Sequence, residues 1–263
     1  MSANLRVVAR AAYLSLYEYF GIYSPRAYFT TWVPRVILEA LFFALLARFV
    51  GGADLLLFTL VGLAGYRTLH STVTFTTTSV TGELFSGTIP LLVGTPTSPI
   101  LVLTGRNLAW MFHGLSTGTL TLAVAVALGL HVTVTSAIWA FLVLMVIELS
   151  AYALGVFVGS ILLRFPGFGT LIGNTVGFTL FAIAGVTTPL TALPQAVQAI
   201  ALALPLSHGL LALREILGAG DANTVLPLVA QEILVAAVYA ALATLSFGIF
   251  LNRARLRGTL DYQ

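Results

Sequence analysis

The sequence predicts an all-α integral membrane protein, and three observations support that fold class. Hydrophobic residues make up 59% of the 263 residues, and the mean hydropathy is +1.01. Charged residues make up only 8%, whereas an ordinary soluble domain has about 25%. Apolar runs of the length that a helix needs to cross a bilayer, about 20 residues, recur along the chain. Most of the chain is therefore expected to lie in the membrane.

Two further features exclude other classes. Residues 137–146 and 233–243 are apolar on every side, whereas strands of a transmembrane barrel alternate between polar and apolar residues. The chain has no cysteine, which excludes disulfides, thiol catalysis and thiolate metal sites. Its 12 basic residues are all arginines, and most of them lie at the edges of apolar runs, where they set membrane orientation. We therefore expect no nucleic-acid partner.

Residues 1–32 are predicted to form an amphipathic and elbow region. Apolar residues recur at helical spacing over residues 3–20, which indicates a helix lying on the membrane surface. Ser24 and Pro25 then break the chain. Interfacial aromatic residues follow, as expected for a segment bending into the bilayer: Tyr28, Phe29 and Trp32.

Six spans are predicted within residues 33–251, followed by a cytoplasmic tail at residues 252–263. The spans are expected at about residues 33–50, 55–80, 107–130, 135–163, 169–186 and 225–251. A polar loop with three prolines joins the second and third spans at residues 81–105. The proline-rich stretch at residues 187–224 is too apolar for a free loop, so we expect re-entrant or interfacial helices there. The whole chain, residues 1–263, is expected to be a single transmembrane domain.

The arginines predict the orientation, because basic loops stay in the cytoplasm. With the N-terminus inside, only Arg48 and Arg214 fall near the outer face. The arginines that then fall inside are Arg6, Arg10, Arg26, Arg106, Arg164, Arg253, Arg255 and Arg257. We therefore expect both termini and the loop at residues 81–105 to be cytoplasmic, and the proline-rich stretch to be extracellular.

Ionisable residues inside predicted spans are candidates for function, because a charge in lipid is costly. Arg67, His70 and Glu148 lie deepest, and we expect a buried ion pair between Arg67 and Glu148. Arg35 and Glu39 lie one helical turn apart and are expected to pair within the first span. The other ionisable residues inside predicted spans are His113 and Glu232.

Glycines four residues apart predict close packing of helices. They occur at 114 and 118, at 155 and 159, and in the longer series Gly169, Gly173 and Gly177. That series marks the fifth span as a packed face, either within the protomer or across a dimer. The threonine-rich tract at residues 71–79 could line a polar conduit, although threonine hydroxyls also bond back to their own helix.

The sequence gives little support for catalysis by this chain. The four histidines lack metal-ligand spacing, and neither the zinc protease motif nor the nucleophile elbow of a serine hydrolase occurs. The phosphate-binding loop of ATPases requires a lysine, and the chain has none. We therefore expect no catalytic residue, no metal and no cofactor in this chain, and any ATP must be hydrolysed by another chain.

Two stretches resemble the membrane subunits of ABC exporters of the ABC-2 type. Residues 83–98 are similar to the cytoplasmic signature of that family, an acidic residue followed by Gly-Thr, a short apolar helix and Thr-Pro-x-Ser. The matching positions are Glu83, Gly87, Thr88, Leu92, Thr95, Pro96 and Ser98. In that family this segment is the coupling helix, which docks on the ATPase subunit.

The second stretch, residues 185–214, is similar to the segment that precedes the last span in the same family. The matching positions are Gly185, Pro189, Leu193, Pro194, Pro205 and Arg214. In that family the segment forms short helices that dip back from the outer face. The layout of an amphipathic elbow and six spans resembles the family over nearly the whole chain.

The resemblance implies a permease subunit in a bacterial cell membrane. It would work with a second copy or a paralogue and with a separate ABC ATPase that binds ATP and Mg. Its substrate would be amphipathic, either an antibiotic or drug-like natural product or a lipid-linked glycan. Two alternatives remain: a proton-coupled secondary transporter that uses Arg67, His70 and Glu148, and a membrane assembly factor without transport activity.

Overall fold

A computed structural model describes residues 3–85, 87, 99–218, 220 and 222–257. Within these residues every regular element is helical and no strand occurs. Four of the described helices are long and apolar enough to cross a membrane, and a bent helix pair would raise that number to five. The chain is therefore a multi-pass helical membrane protein, as its composition predicts.

Helix α1, Ala3–Ile22, follows the predicted amphipathic segment closely. One face, with Ala11, Ser15 and Tyr19, is buried, while large apolar side chains such as Tyr13 and Leu14 are exposed on other faces. A short helix at Pro25–Ala27 and a π-helical turn at Tyr28–Trp32 then lead into the membrane domain. This elbow begins at Ser24, whose hydroxyl accepts a hydrogen bond from the backbone N–H of residue 27 at 3.3 Å.

Helix α2, Val33–Phe85, folds back on itself near its middle. Its backbone leaves helical geometry at Gly51 and Gly52, where Gly52 has φ +74°, a conformation that favours glycine. Arg67 forms an ion pair with Glu39, although a straight helix would place residues 28 positions apart about 42 Å from each other. The two halves, residues 33–51 and 52–85, therefore run antiparallel, with the reversal where the sequence predicts a turn.

Three further helices follow. Helix α3 is Pro99–Ala127, α4 is Val134–Leu162 and α5 is Gly169–Ile183. The predicted loop at residues 81–105 is too long, because α2 continues to Phe85 and α3 begins at Pro99. The polar residues that suggested a loop are compatible with a helix here, since Thr104, for example, donates to the carbonyl of Ile100 at 2.8 Å.

The proline-rich stretch contains a bent helix pair, α6 at Gln195–Ala203 and α7 at Ser207–Leu217, with an angle of 91° between the two helices. The last helix, α8, is Ala222–Arg257. It continues six residues beyond the predicted end of the sixth span, so the start of the predicted tail is helical. Within the described residues, α8 packs along α4 and α7.

Residues 52–85 of α2 form the centre of the described fold. The predicted glycine faces of three helices pack on this segment. Gly118 of α3 lies against Thr68, Gly155 of α4 against Thr76, and Gly173 of α5 against Thr74. An added Cβ at Gly173 would approach the Thr74 Cα to 3.0 Å. The series Gly169, Gly173 and Gly177 is buried in this way within the protomer.

Candidate functional site

A bridge of charged side chains joins α1, the end of α2 and the start of α3. The Nη2 atom of Arg106 lies 3.0 Å from Glu18 Oε2 on α1, and its Nε atom lies 2.8 Å from Glu83 Oε1 on α2. The hydroxyl of Ser15 also donates to the Arg106 carbonyl oxygen. Glu83 is buried and Glu18 is exposed. These contacts fix both helix ends that flank residues 86–98.

A cleft of about 260 Å³ opens beside this bridge. The ring of Phe75 on α2 stacks on Trp110 of α3, with centroids 4.3 Å apart and an interplanar angle of 10°. The side chains of Glu18, Glu83 and Arg106 also line the cleft, together with the hydroxyl residues Thr78 and Ser79 and with Gly82. The cleft therefore combines an aromatic wall with charged and hydroxyl groups.

Aromatic rings surround His113 on α3 and hold α1 and the elbow in place. The hydroxyl of Tyr19 lies 2.9 Å from His113 Nδ1, within hydrogen-bond distance. The rings of Tyr23 and Trp32 lie 5.2 Å and 4.8 Å from the imidazole. Burial raises the pKa of the Tyr19 phenol, which keeps that group protonated at neutral pH.

The intramembrane polar residues do not pair as the sequence suggested. Arg67 pairs with Glu39 and not with Glu148, because the reversal at residues 51–52 brings the two halves of α2 together. The expected pair between Arg35 and Glu39 is also wrong, since Arg35 is exposed and Glu39 faces Arg67.

Glu148 and His70 lie in separate contacts. Glu148 is buried and accepts a hydrogen bond from the hydroxyl of Thr72. An added Cβ at Gly114 would come within 2.7 Å of its second carboxylate oxygen. His70 stacks on Tyr66 with centroids 5.2 Å apart and lies against Gly177. The predicted trio of Arg67, His70 and Glu148 is therefore divided among three local environments.

The hydroxyls of the threonine-rich tract bond to neighbouring helices. Just after the tract, Thr81 bonds to the carbonyl of Thr77, one turn earlier on its own helix, at 3.0 Å. Thr77 donates across to the carbonyl of Gly155 on α4 at 3.2 Å. On another face, Thr78 lies 3.1 Å from the hydroxyl of Thr170 on α5. The tract therefore joins α2 to its neighbours.

A carboxylate of α8 holds the start of α7. Glu232 accepts hydrogen bonds from the backbone N–H of Leu206 at 2.9 Å and from that of Gly209 at 3.0 Å. The hydroxyl of Ser150 on α4 donates to the same carboxylate. The first N–H groups of a helix lack partners within it, and its N-terminus favours negative charge. Glu232 satisfies both requirements and is fully buried.

Arg214 holds the other end of α7 against the connection that follows α5. It donates to the carbonyls of Gly185 at 2.7 Å and Val186 at 3.0 Å. Its guanidinium also lies 3.5 Å from the ring centroid of Phe58 on α2. Gly185 has φ +84°, which suits the residue that turns the chain away from α5.

A family model described as "ABC-2 family transporter protein" matches residues 48–245, about three quarters of the chain. This chain belongs to the ABC-2 transporter family. It is the membrane domain of an ABC transporter, and the resemblance drawn from residues 83–98 and 185–214 is confirmed. A search of curated proteins found no match. Membership of the ABC-2 family implies, in general, an ATPase partner.

The ABC-2 signature residues fall into two groups in the structure. In the stretch at residues 185–214, Gly185 and Arg214 are in direct contact. Pro189 and Pro194 stand immediately before the short helix Leu190–Ala192 and before α6, and the buried Pro205 stands before the turn into α7. In the stretch at residues 83–98, Glu83 bonds Arg106 and Gly87 is an exposed turn residue with φ +66°. Five predicted coupling residues lie outside the described residues: Thr88, Leu92, Thr95, Pro96 and Ser98.

The sequence missed the partners that complete these sites. Glu18 and Arg106 are 88 residues apart, and no pattern in one sequence connects them. Glu232 was a candidate because it lies in a span, but nothing indicated that it would cap α7. The useful signal was the cost of burying a carboxylate, which shows that a partner is required without identifying it.

Proposed function

We propose that this ABC-2 protein is the permease subunit of an ATP-driven exporter and forms the pathway for an amphipathic substrate. The proposal rests chiefly on the family match, which covers the region from the α2 reversal into α8. The chain contains no lysine, so a separate nucleotide-binding subunit would bind ATP and Mg. An antibiotic or drug-like natural product suits the short chain, and a lipid-linked glycan suits the aromatic elbow.

The proposed membrane arrangement has six spans and cytoplasmic termini in a bacterial cell membrane. The spans would be the two halves of α2 together with α3, α4, α5 and α8. The contact of Ser150 with Glu232 supports a re-entrant α6–α7 pair, because it places the start of α7 near the middle of α4. The pair would enter from the outer face and return to it.

The proposed coupling element is the segment from Glu83 to Ser98. The bridge from Glu83 through Arg106 to Glu18 supports this role. A force applied by the ATPase to residues 86–98 would reach α1, α2 and α3 together through those contacts. Within the coupling motif, Glu83 and Gly87 would fix the start of the loop, and the remaining motif residues would contact the ATPase.

The transport pathway would form between two copies of the chain, or between this chain and a paralogue. The half-exposed hydroxyl and amide groups of Thr74, Thr78 and Asn174 support this arrangement, because they lie on α2 and α5 in a largely apolar exterior. A second subunit covering this face would enclose those polar groups. The proton-coupled alternative is less well supported, since Arg67, His70 and Glu148 have separate partners.

Purification from native membranes in a mild detergent tests the exporter directly. We expect an ABC ATPase to co-purify and substrate transport in vesicles to be sensitive to vanadate. Leu92→Asp, which places a charge in the proposed coupling segment, should abolish co-purification. His131→Asp, the same charge on the exposed α3–α4 loop, should not. Transport without an ATPase that stops when the proton gradient collapses would instead establish the secondary transporter.

A further inference from the structure

Two arginines on the exposed side of α1 have no acidic partner. Arg6 and Arg10 lie one helical turn apart, and both are exposed. Within the part of the chain that the structure describes, neither side chain forms an ion pair. Glu18, the one acidic residue of α1, is bound to Arg106 instead. The first half of α1 therefore carries two positive charges without a described counter-charge.

The position of Arg6 in the helix adds to this positive charge. The N-terminus of a helix carries a partial positive charge, which favours acidic residues in the first turn and disfavours basic ones. The first turn of α1 contains no acidic residue and ends with Arg6. A local preference that is broken in this way is typical of a functional site. A bound anion would interact favourably with the helix terminus and with both guanidinium groups.

Aromatic and apolar side chains lie beside the two arginines. Arg6, Arg10 and Tyr13 lie within about 60° of one another around the helix axis. They face away from Ser15, which is buried against the rest of the protein. Tyr13 and Leu14 are 72% and 57% exposed, and both share a surface groove with the arginines. Because tyrosine is enriched where a membrane meets water, this surface suits a ligand with a charged and an apolar part.

The packing of α1 on α3 places the arginines at the polar end of a span. Residues 107–127 contain no Asp, Glu, Lys or Arg, and a helix of this length, about 30 Å, matches the hydrocarbon core. Tyr19 contacts His113, within that apolar part of α3. An added Cβ at Gly105, just outside it, would lie 2.6 Å from the Ala11 side chain. The arginines precede Ala11, so they lie at about the level of the lipid head groups.

We propose that Arg6, Arg10 and Tyr13 bind the phosphate of an anionic phospholipid. Guanidinium groups bind phosphate through paired, charge-assisted hydrogen bonds, and the tyrosine hydroxyl is a further donor. A lipid suits the site better than a free phosphate, because its acyl chains would cover exposed apolar side chains such as Leu14. The lipid would fix α1 to one leaflet. This inference goes beyond the proposed function, since it concerns a resident lipid and not the transported substrate.

Lipid selectivity beside α1 tests the site. The chain has no cysteine, so Ala9→Cys, at an exposed position in the same groove, can carry a single fluorophore in the full chain. Nanodiscs are prepared with rising fractions of phosphatidylglycerol or phosphatidylcholine that carries a nitroxide near the head group. Labelled phosphatidylglycerol should quench the fluorophore saturably and bind about 25-fold more tightly than labelled phosphatidylcholine, about fivefold for each arginine.

Charge variants of the Ala9→Cys reporter distinguish a site from general attraction. Arg6→Gln and Arg10→Gln should each lower the preference for phosphatidylglycerol about fivefold, and together they should abolish it. Arg10→Lys keeps the charge and should retain most of the preference. Arg164→Gln removes an exposed arginine after α4 and is the matched control, which should not change the preference. An equal loss in the control would show attraction to the overall charge and would overturn the proposal.

Three other outcomes would also overturn the proposal. Equal quenching by the two lipids would show that α1 does not select an anionic head group. Displacement of the labelled lipid by inorganic phosphate would assign the site to a soluble anion. Arg6→Gln and Arg10→Gln should melt at the temperature of the parent protein, because both arginines are exposed, and a lower temperature would show that they hold α1 in place. The measurement needs neither an ATPase nor a transported substrate, so its result is independent of the exporter proposal.

Discussion

The second half of α2 meets two very different polar contacts along its length. Toward its start Gly65 packs against Leu210 of α7, whose own start is fixed by Glu232, and we call this the α7 end. At its other end Glu83 meets Arg106, about 27 Å from Gly65 along the helix axis. Glu232 is completely buried with three donors, whereas Arg106 is shared by two carboxylates and is partly exposed.

The contrast shows that a carboxylate can have either a large or a small effect on the stability of this protein, depending on how deeply it is buried. Removing one partner from a buried charged contact leaves groups unsatisfied and is strongly destabilising. An exposed ion pair contributes at most about 1 kcal/mol. The α7 end is therefore built to keep a single arrangement. At the bridge only the exposed Glu18 can leave Arg106 at little cost, because Glu83 is buried.

Glu232→Ala should give the largest loss. It leaves the N–H groups of Leu206 and Gly209 without their acceptor, so we expect a destabilisation of about 3 to 5 kcal/mol. Thermal unfolding in detergent measures this destabilisation. Protease cleavage between α5 and α8 should also become faster. The exposed neighbour Gln231→Ala is the control. A loss below about 1 kcal/mol would show that Glu232 does not hold α7.

Arg214→Lys should give an intermediate effect at the same end. Lysine keeps the charge but cannot reproduce the planar contacts with Phe58 and the two carbonyls. We expect a loss of about 1 to 2 kcal/mol, measured by the same thermal transition. Arg164→Lys, at an exposed position after α4, serves as the matched substitution. Identical transitions for both variants would contradict the role assigned to the guanidinium.

Tyr19→Phe probes the aromatic cluster that holds α1. The change removes the hydroxyl 2.9 Å from His113 but keeps the ring, so we expect a loss of about 1 kcal/mol. Hydrogen exchange should rise in α1 and remain unchanged in α7. Tyr17→Phe, on the exposed face of α1, is the comparison, and exchange that rises equally in both variants would refute this contact.

Glu18→Gln should have the smallest effect on stability. Its carboxylate is exposed and Arg106 retains Glu83, so the expected change is below about 1 kcal/mol. Added salt should reduce even that difference, because exposed charges are screened. Melting curves at low and high ionic strength measure both effects. A loss of stability as large as that of Glu232→Ala would show that the contact of Glu18 with Arg106 is as important for stability as the contacts of Glu232.

Composition and helical periodicity predicted most of the fold. The start of α5 at Gly169 and both ends of α4 agree with the expected spans within a residue, because apolar runs bounded by glycine or polar residues determine them. The start of α3 was placed at about residue 107 instead of Pro99, since the polar and proline-containing residues up to 105 were interpreted as a loop. Hydrogen bonds within the helix, such as that of Thr104 to Ile100, make a helix possible there.

The partners within the site could not be predicted in the same way. Arg67 was expected to face Glu148 because both lie deep in apolar runs, but the choice between Glu39 and Glu148 depends on how α2 packs after its reversal. The resemblance located Arg214 and Gly185 in one motif, and the structure adds their contact. The acceptor that caps the N-terminus of α7 could not be predicted, because no motif links Glu232 to the residues at that N-terminus.

The ion pair across the α2 reversal has a consequence for biosynthesis. Glu39 leaves the ribosome 28 residues before Arg67, and neither charge is favourable in lipid alone. We therefore expect residues 33–85 to leave the translocation channel as a preformed hairpin, with its charges already neutralised. Residues 33–51 would then stay beside the channel until residues 52–85 have been synthesised. The separation of 28 residues between Glu39 and Arg67 sets how much chain must be made before the pair can form.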